Sequence, residues 1–220
     1  MKKIIFSLFI VLFQIAYSQK ARNVGDFTSV KAYDRINVEL VKSDQNKVEI
    51  NGNNSDVELV NKNGELKIRM IPTKLMQGQN ISVTVFYENL NEIQASQGAI
   101  ISSKEPIESE NLNITSNEGS NIKLEINTET LNVKANSGGI LTISGTAENQ
   151  DIVVNSGANF DGKEITSKSA TVTTNAGGIA EVFASESINA TTRAGGIIDV
   201  YGSPEERNTQ NVIGGKINFK

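Results

Sequence analysis

From residue 112 onward the chain alternates apolar or small residues with polar ones, and short runs of Asn, Ser, Ala and Gly interrupt the alternation at a near-constant interval. Anchored on Asn117, Asn136, Asn155, Asn175 and Arg193, the interruptions fall 19, 19, 20 and 18 residues apart. Counting back five, three and one from each anchor gives Leu112, Ile114, Ser116; Leu131, Val133, Ala135; Gln150, Ile152, Val154; Ala170, Val172, Thr174; and Ile188, Ala190, Thr192. Most of these are apolar or small, which predicts an inward face. The positions between them, Asn113, Thr115, Asn132, Lys134, Asp151, Val153, Thr171, Thr173, Asn189 and Thr191, are nearly all polar and predict the solvent face of a strand. A second strand is predicted after each turn, opening on the apolar residues Ile122, Ile140, Phe160, Ile179 and Ile197.

A unit of this length with two or three strands cannot bury an apolar face alone. Stacking like on like solves the problem, each strand pairing with its copy in the next rung. The predicted fold is all-β: a single-stranded parallel β-helix, or solenoid, with rungs of about 19 residues. Right-handed winding is the favoured form. Stacked Asn anchors stand about 4.8 Å apart, close enough for a ladder of amide hydrogen bonds, and Asn also tolerates the left-handed backbone expected at such a corner. A left-handed hexapeptide helix would show an apolar residue every six positions, which is not seen. An antiparallel sandwich gives no reason for a constant period.

Before the repeat, residues 22–90 read as strands of period two, with Ile36, Val38, Leu40; Val48, Ile50; Leu66, Ile68, Met70; and Ile81, Val83, Val85 on one side. Asn51-Gly52-Asn53-Asn54 and Asn61-Lys62-Asn63-Gly64 mark tight turns. Residues 56–60 fit a short strand or a helical turn. The regular Asn/Gly rungs occupy residues 91–220, with weaker copies at Ser96-Gln97-Gly98-Ala99-Ile100 and Ile213-Gly214-Gly215-Lys216-Ile217.

The first 18 residues carry Lys2 and Lys3, an apolar run from Ile4 to Ile15, and Ala16-Tyr17-Ser18. This is the pattern of a signal peptide cleaved after Ser18, and the run of about 12 apolar residues is too short to span a bilayer. The expected product is one exported solenoid domain over residues 19–220, periplasmic or at the cell surface, with no stable membrane insertion. The chain has no cysteine, so neither a disulfide nor a thioether-linked lipid can form. It also has no histidine, which removes Ser-His-Asp and Cys-His catalysis and the commonest zinc ligands. A formal net charge of −4, more negative without Lys2 and Lys3, is the wrong sign for gripping nucleic-acid phosphate.

At these residues the chain resembles the putative auto-transporter adhesin, head GIN domain family of secreted bacterial proteins. The likeness runs from Val24 to Lys220. It is carried by Val24-Gly25-Asp26-Phe27-Thr28-Ser29-Val30, the strand pair at 36–41 and 47–52, Leu66-Lys67-Ile68, the serial Gly-Gly turns, and the closing Val200-Tyr201-Gly202-Ser203-Pro204. The resemblance implies a β-helical fold, export, and occurrence mainly in Bacteroidota, and it brings no catalytic motif. The turns Asn117-Glu118-Gly119-Ser120 and Asn155-Ser156-Gly157-Ala158-Asn159 depart from the Gly-Gly pattern and read as longer.

Parallel β-helices also house polysaccharide lyases and hydrolases, which need clustered carboxylates. The candidates are Asp151, Asp161, Lys163, Glu164, Glu181, Arg193 and Asp199, with Glu181 and Asp199 on adjacent rungs about 5 Å apart. An exposed pair on a solvated face explains them as well. Thr171, Thr173 and Thr191 suggest the start of a flat threonine array, although β-branched residues are favoured on exposed strands anyway. The sequons at Asn53, Asn113 and Asn189, and the turn residues Pro106 and Pro204, add no chemistry. No catalytic, metal or cofactor residue is assigned. The function expected is a non-enzymatic envelope or surface protein that engages carbohydrate or protein through a polar solenoid face. A polysaccharide-active enzyme and a purely structural module are the alternatives.

Overall fold

The computed structural model describes residues 21–220, so the segment read as a signal peptide lies outside the described residues. The strands in chain order are β1 (Arg22–Asn23), β2 (Ser29–Ala32), β3 (Asn37–Lys42), β4 (Lys47–Asn51), β5 (Val57–Lys62), β6 (Glu65–Met70), β7 (Ser82–Tyr87), β8 (Glu92–Ala95) and β9 (Ile100–Ser103). They continue with β10 (Ile107–Ser116), β11 (Asn121–Ala135), β12 (Ile140–Asn155), β13 (Asn159–Asn175), β14 (Ile179–Phe183), β15 (Ser187–Arg193), β16 (Ile197–Tyr201), β17 (Glu206–Val212) and β18 (Lys216–Phe219). All belong to one 18-stranded sheet, coiled into a solenoid of about 7 turns.

Each regular rung has two walls. In β11 the wall after the turn runs from Asn121 to Asn127, the chain bends at Thr128–Thr130, and the wall before the next turn runs from Leu131 to Ala135. Parallel pairing holds the stack, as in Leu112↔Leu131↔Gln150↔Ala170↔Ile188. All fifteen residues expected to face inward are buried, and so are the eleven named in residues 36–85. Leu, Ile and Val fill the core, where each fully buried side chain contributes about 1.5–3 kcal/mol.

The turns are all one length, which corrects the reading of two of them as longer. Each consists of an anchor, a residue in the left-handed region, a left-handed glycine and a small residue, as in Asn136-Ser137-Gly138-Gly139 and Asn155-Ser156-Gly157-Ala158. The left-handed residue is Glu118, Ser137, Ser156, Ala176 or Ala194, with φ between 47° and 54°, and never the Asn itself. Asn at the anchor therefore serves the ladder alone. Asn136 Nδ2 donates to Asn117 Oδ1 at 2.9 Å, Asn155 Nδ2 to Asn136 Oδ1 at 2.9 Å, and Asn175 Nδ2 to Asn155 Oδ1 at 2.7 Å.

Equal turn lengths also regroup the residues that follow. Ile140 and Ile179 share a column with Asn121 and Asn159 and are exposed, whereas Ile122 and Phe160 share the next column with Leu141 and Ala180 and are buried.

The N-terminal strands are stacked out of chain order. β6 and β7 form the outermost parallel rung; β2 and β3 lie between it and the rung of β8 and β9. Outside β6 and β7, β5 and β4 run antiparallel and close the stack. Residues 54–56 form a 3-10 turn leading into β5, which answers the open choice between helical turn and strand.

Candidate functional site

The wall before the turn presents three outward columns across its rungs. One runs through Asn111, Thr130, Asn149, Ser169, Ser187 and Glu206; the next through Asn113, Asn132, Asp151, Thr171, Asn189 and Asn208; the third through Thr115, Lys134, Val153, Thr173, Thr191 and Gln210. Alternation points these side chains out because their neighbours fill the core. A shallow hollow of about 440 Å³ lies across the last four rungs, lined by Asn149, Ser169, Thr171, Ser187, Asn189 and Asn208. Ser187 Oγ donates to Ser169 Oγ at 2.9 Å. The side chains of Asn149, Thr171, Asn189 and Asn208 make no hydrogen bond to the described protein, unlike the anchors of the Asn ladder.

The seven charged candidates do not form one site. Asp161, Glu181 and Asp199 do stand in register on consecutive rungs of the other wall, as the repeat predicts for Glu181 and Asp199. Their charges are already answered. Lys163 Nζ lies 3.1 Å from Asp161 Oδ2 and 3.2 Å from Glu181 Oε2, and Tyr201 Oη donates to Glu181 Oε1 at 3.0 Å. Asn218 Nδ2 donates to Asp199 Oδ1 at 2.6 Å, with Lys220 Nζ 3.4 Å from the other oxygen. Its hydrogen bond to Asp161, reinforced by that to Glu181, raises the Lys163 ammonium above its ordinary value, and the bond to Glu181 raises the Tyr201 phenol. The patch holds its own protons and cation in place, and it sits on an outward strand face. Glu164 follows a bulge in β13, Asp151 is on the polar wall, and Arg193 stands in the anchor column between Asn175 and Val212. Thr173 stands beside Thr191, but Thr171 stands beside Asn189, so the threonine array is two residues deep.

A second groove was not singled out from the sequence. It follows the bend between the walls, has a volume of about 480 Å³, and takes residues from five rungs, Ser109 to Ser185. Its signal was present: Glu110, Glu129, Glu148, Lys168 and Glu186 recur at 19, 19, 20 and 18 residues, the same spacings as the anchors. Among the described residues, no group of three or more His, Cys, Asp or Glu side chains is placed to hold a metal ion, and no helix is long and apolar enough to cross a membrane.

The fold matches solved structures closely. A putative adhesin from Bacteroides fragilis superposes with a TM-score of 0.84 at 19% identity, covering 91% of this chain and 95% of that one. A putative adhesin from Parabacteroides merdae gives 0.71 at 17% identity, and a protein described as a putative lipid binding protein from Parabacteroides distasonis gives 0.69 at 18%, each with the same coverage of 91% and 95%. No curated protein matches the chain. Residues 26–204 match the model of the family described as "Putative auto-transporter adhesin, head GIN domain", and the chain belongs to that family.

Proposed function

We propose that this protein is an exported, non-enzymatic envelope or surface protein that binds a carbohydrate chain through the polar wall before the turn. The observation that carries the reading is the hollow at Asn149, Thr171, Asn189 and Asn208, whose amides and hydroxyls have no partner in the described protein. Rows of such groups on a rigid sheet match the alternating donors and acceptors of sugar hydroxyls, and binding costs little ordering of the site. Family membership and the leader-like first 18 residues support export. The charge-compensated state of Glu181 and Asp199 speaks against catalysis there, and the acidic net charge against a nucleic-acid partner.

A glycan array read with the purified protein tests this. One class of glycan is expected to bind, and Asn189→Ala with Asn208→Ala should weaken it about thirtyfold, or about 2 kcal/mol for two hydrogen-bonding side chains. Affinity unchanged in that double variant, or no glycan bound by folded protein that instead captures an envelope protein, overturns the reading.

A further inference from the structure

The bend groove has a construction different from that of the polar wall. Its floor is a column of small residues, Ser109, Thr128, Ala147, Ser167 and Ser185, which sit back because the chain changes direction there. Their hydroxyls are spent inside the protein. Ser109 Oγ donates to the Asn111 carbonyl at 3.0 Å, Thr128 Oγ1 shares its one proton between the Glu110 and Thr130 carbonyls at 3.1 Å each, Ser167 Oγ donates to the Phe183 carbonyl at 2.5 Å, and Ser185 Oγ to the Ser167 carbonyl at 3.0 Å. The floor therefore offers mainly carbon to whatever lies on it. Thr128, Ala147 and Ser167 are themselves buried, so the floor is firm.

The two rims differ. Asn127, Thr146 and Thr166 form one, where Thr146 Oγ1 donates to Asn127 Oδ1 at 2.9 Å and leaves the Asn127 amide NH2 free. Glu110, Glu129, Glu148 and Lys168 form the other, each one residue before the paired positions Asn111, Thr130, Asn149 and Ser169. Lys168 Nζ is 2.9 Å from Glu148 Oε1. Among the described residues, Glu110 and Glu129 have no cation partner, although both are exposed and stand on adjacent rungs about 4.8 Å apart.

We propose that this groove is a docking site for an extended polypeptide segment rich in lysine and arginine. Charge complementarity selects the cations: the two unpaired carboxylates sit side by side, so a positive partner relieves their mutual repulsion. The carbon floor selects the stems, since Lys and Arg lay three or four methylenes along an apolar surface while the charged head reaches a rim carboxylate. The Asn127 amide and the threonines of the other rim meet a main chain. Five rungs span about 19 Å, the length of about six extended residues. The Lys168–Glu148 pair closes one end of the carboxylate file, so the strongest contacts form at Glu110 and Glu129. This site is independent of the polar wall and of its ligand.

The test is fluorescence anisotropy of the purified protein with a labelled six-residue peptide alternating Lys and Thr, beside a Glu-Thr peptide of the same length. Binding of the Lys-Thr peptide alone is expected, weakening steeply with added salt. Glu110→Gln with Glu129→Gln should lower affinity about tenfold, while Glu118→Gln, at a turn away from the groove, leaves it unchanged. Thr146→Arg, which sets a cation on the opposite rim, should abolish binding without touching a carboxylate. Equal affinity of the wild type and the Glu110/Glu129 double variant overturns the proposal. So does spermidine bound while the peptide is ignored, a neutral glycan displacing the peptide from the groove, or no binding at low salt by folded protein.

Discussion

Substituting Gly196 by alanine should destabilise the protein through a contact with the rung beneath, and trimming Thr174 to alanine, which removes the nearest atom of that contact, should restore part of the loss. Gly196 closes the turn after Arg193 without adopting positive φ, so alanine meets no backbone penalty. An added Cβ would instead press on Thr174: it falls 2.8 Å from Thr174 Cβ and 3.0 Å from its carbonyl oxygen, with Oγ1 nearer still. Overpacking of this kind costs about 1–3 kcal/mol. The smaller entropy of the unfolded alanine chain returns about 0.4–1 kcal/mol, leaving a net loss of about 1–2 kcal/mol.

Thr174 itself is buried and its Oγ1 has no hydrogen-bond partner, so Thr174→Ala should be nearly neutral. Three rungs show that alanine beneath makes room above, because Ala99, Ser120 and Ala158 occupy the Gly196 position where the strand below ends in Ala32, Ala95 and Ala135. Where it ends in Ser116, Val154, Thr174 or Thr192, the position is Gly139, Gly178, Gly196 or Gly215. Urea unfolding of the two single variants and the double variant, followed by circular dichroism, should therefore show Gly196→Ala costing at least about 1 kcal/mol less in the Thr174→Ala background. Equal costs in the two backgrounds, within about 0.5 kcal/mol, would refute the pairing of turn with rung.

Two further outcomes are expected. Asn155→Ala breaks two ladder bonds and Asn175→Ala one, so the first should cost about 2 kcal/mol and the second about 1 kcal/mol by urea midpoint; equal losses would show that the ladder is not additive. Burial, reinforced by Glu105 and Glu108, pushes the Tyr87 phenol up to about 12, whereas the unfolded phenol titrates near 10. Stability is full below about pH 10 and falls by about 2 kcal/mol as pH rises toward 12, because only the unfolded chain releases the proton there. Tyr87→Phe should remove this loss, since the Tyr87 hydroxyl has no partner to lose; an unchanged loss between about pH 9 and about pH 11 would sink the assignment.

The inward residues and the Asn ladder were legible because both depend on one period within the chain. The turns were less so. Ser120 and Ala158 break the Gly-Gly pattern for a reason about 23 to 25 residues away, in the size of Ala95 and Ala135 beneath them, and a pattern read locally takes them for extra length. That error placed Ile122 and Phe160 in the wrong column. The order of the first rungs was hidden for another reason. Val30 and Val38 alternate correctly for either neighbour, so nothing in the period tells β2 and β3 to lie between β6–β7 and β8–β9. The Glu110–Glu129–Glu148 spacing was equally regular, but spacing gives alignment and not depth. The groove exists because Thr128, Ala147 and Ser167 are small where the chain bends.

The two ends of the stack are built differently from its sides. A parallel solenoid ends in open strand edges that would template further rungs. At one end the chain reverses, so that antiparallel β5 and β4, the latter edged by antiparallel β1, face outward and a parallel rung finds no matching register. At the other, Arg207, Thr209 and Asn211 take the inward positions that Ile188, Ala190 and Thr192 hold one rung earlier. Arg207 lies over the Phe219 ring, 4.5 Å from its centre, and Asn211 Oδ1 accepts from the Gly215 amide at 3.1 Å. A further rung stacked there would have to bury a guanidinium and two polar side chains with too few partners, at a cost of about 1–3 kcal/mol for each unsatisfied group. With both ends set against growth and the core filled by the repeat, the side chains free to meet another molecule are those the fold does not consume. Among them are the unpaired amides of the polar wall at Asn149, Asn189 and Asn208, and the unpaired carboxylates at Glu110 and Glu129.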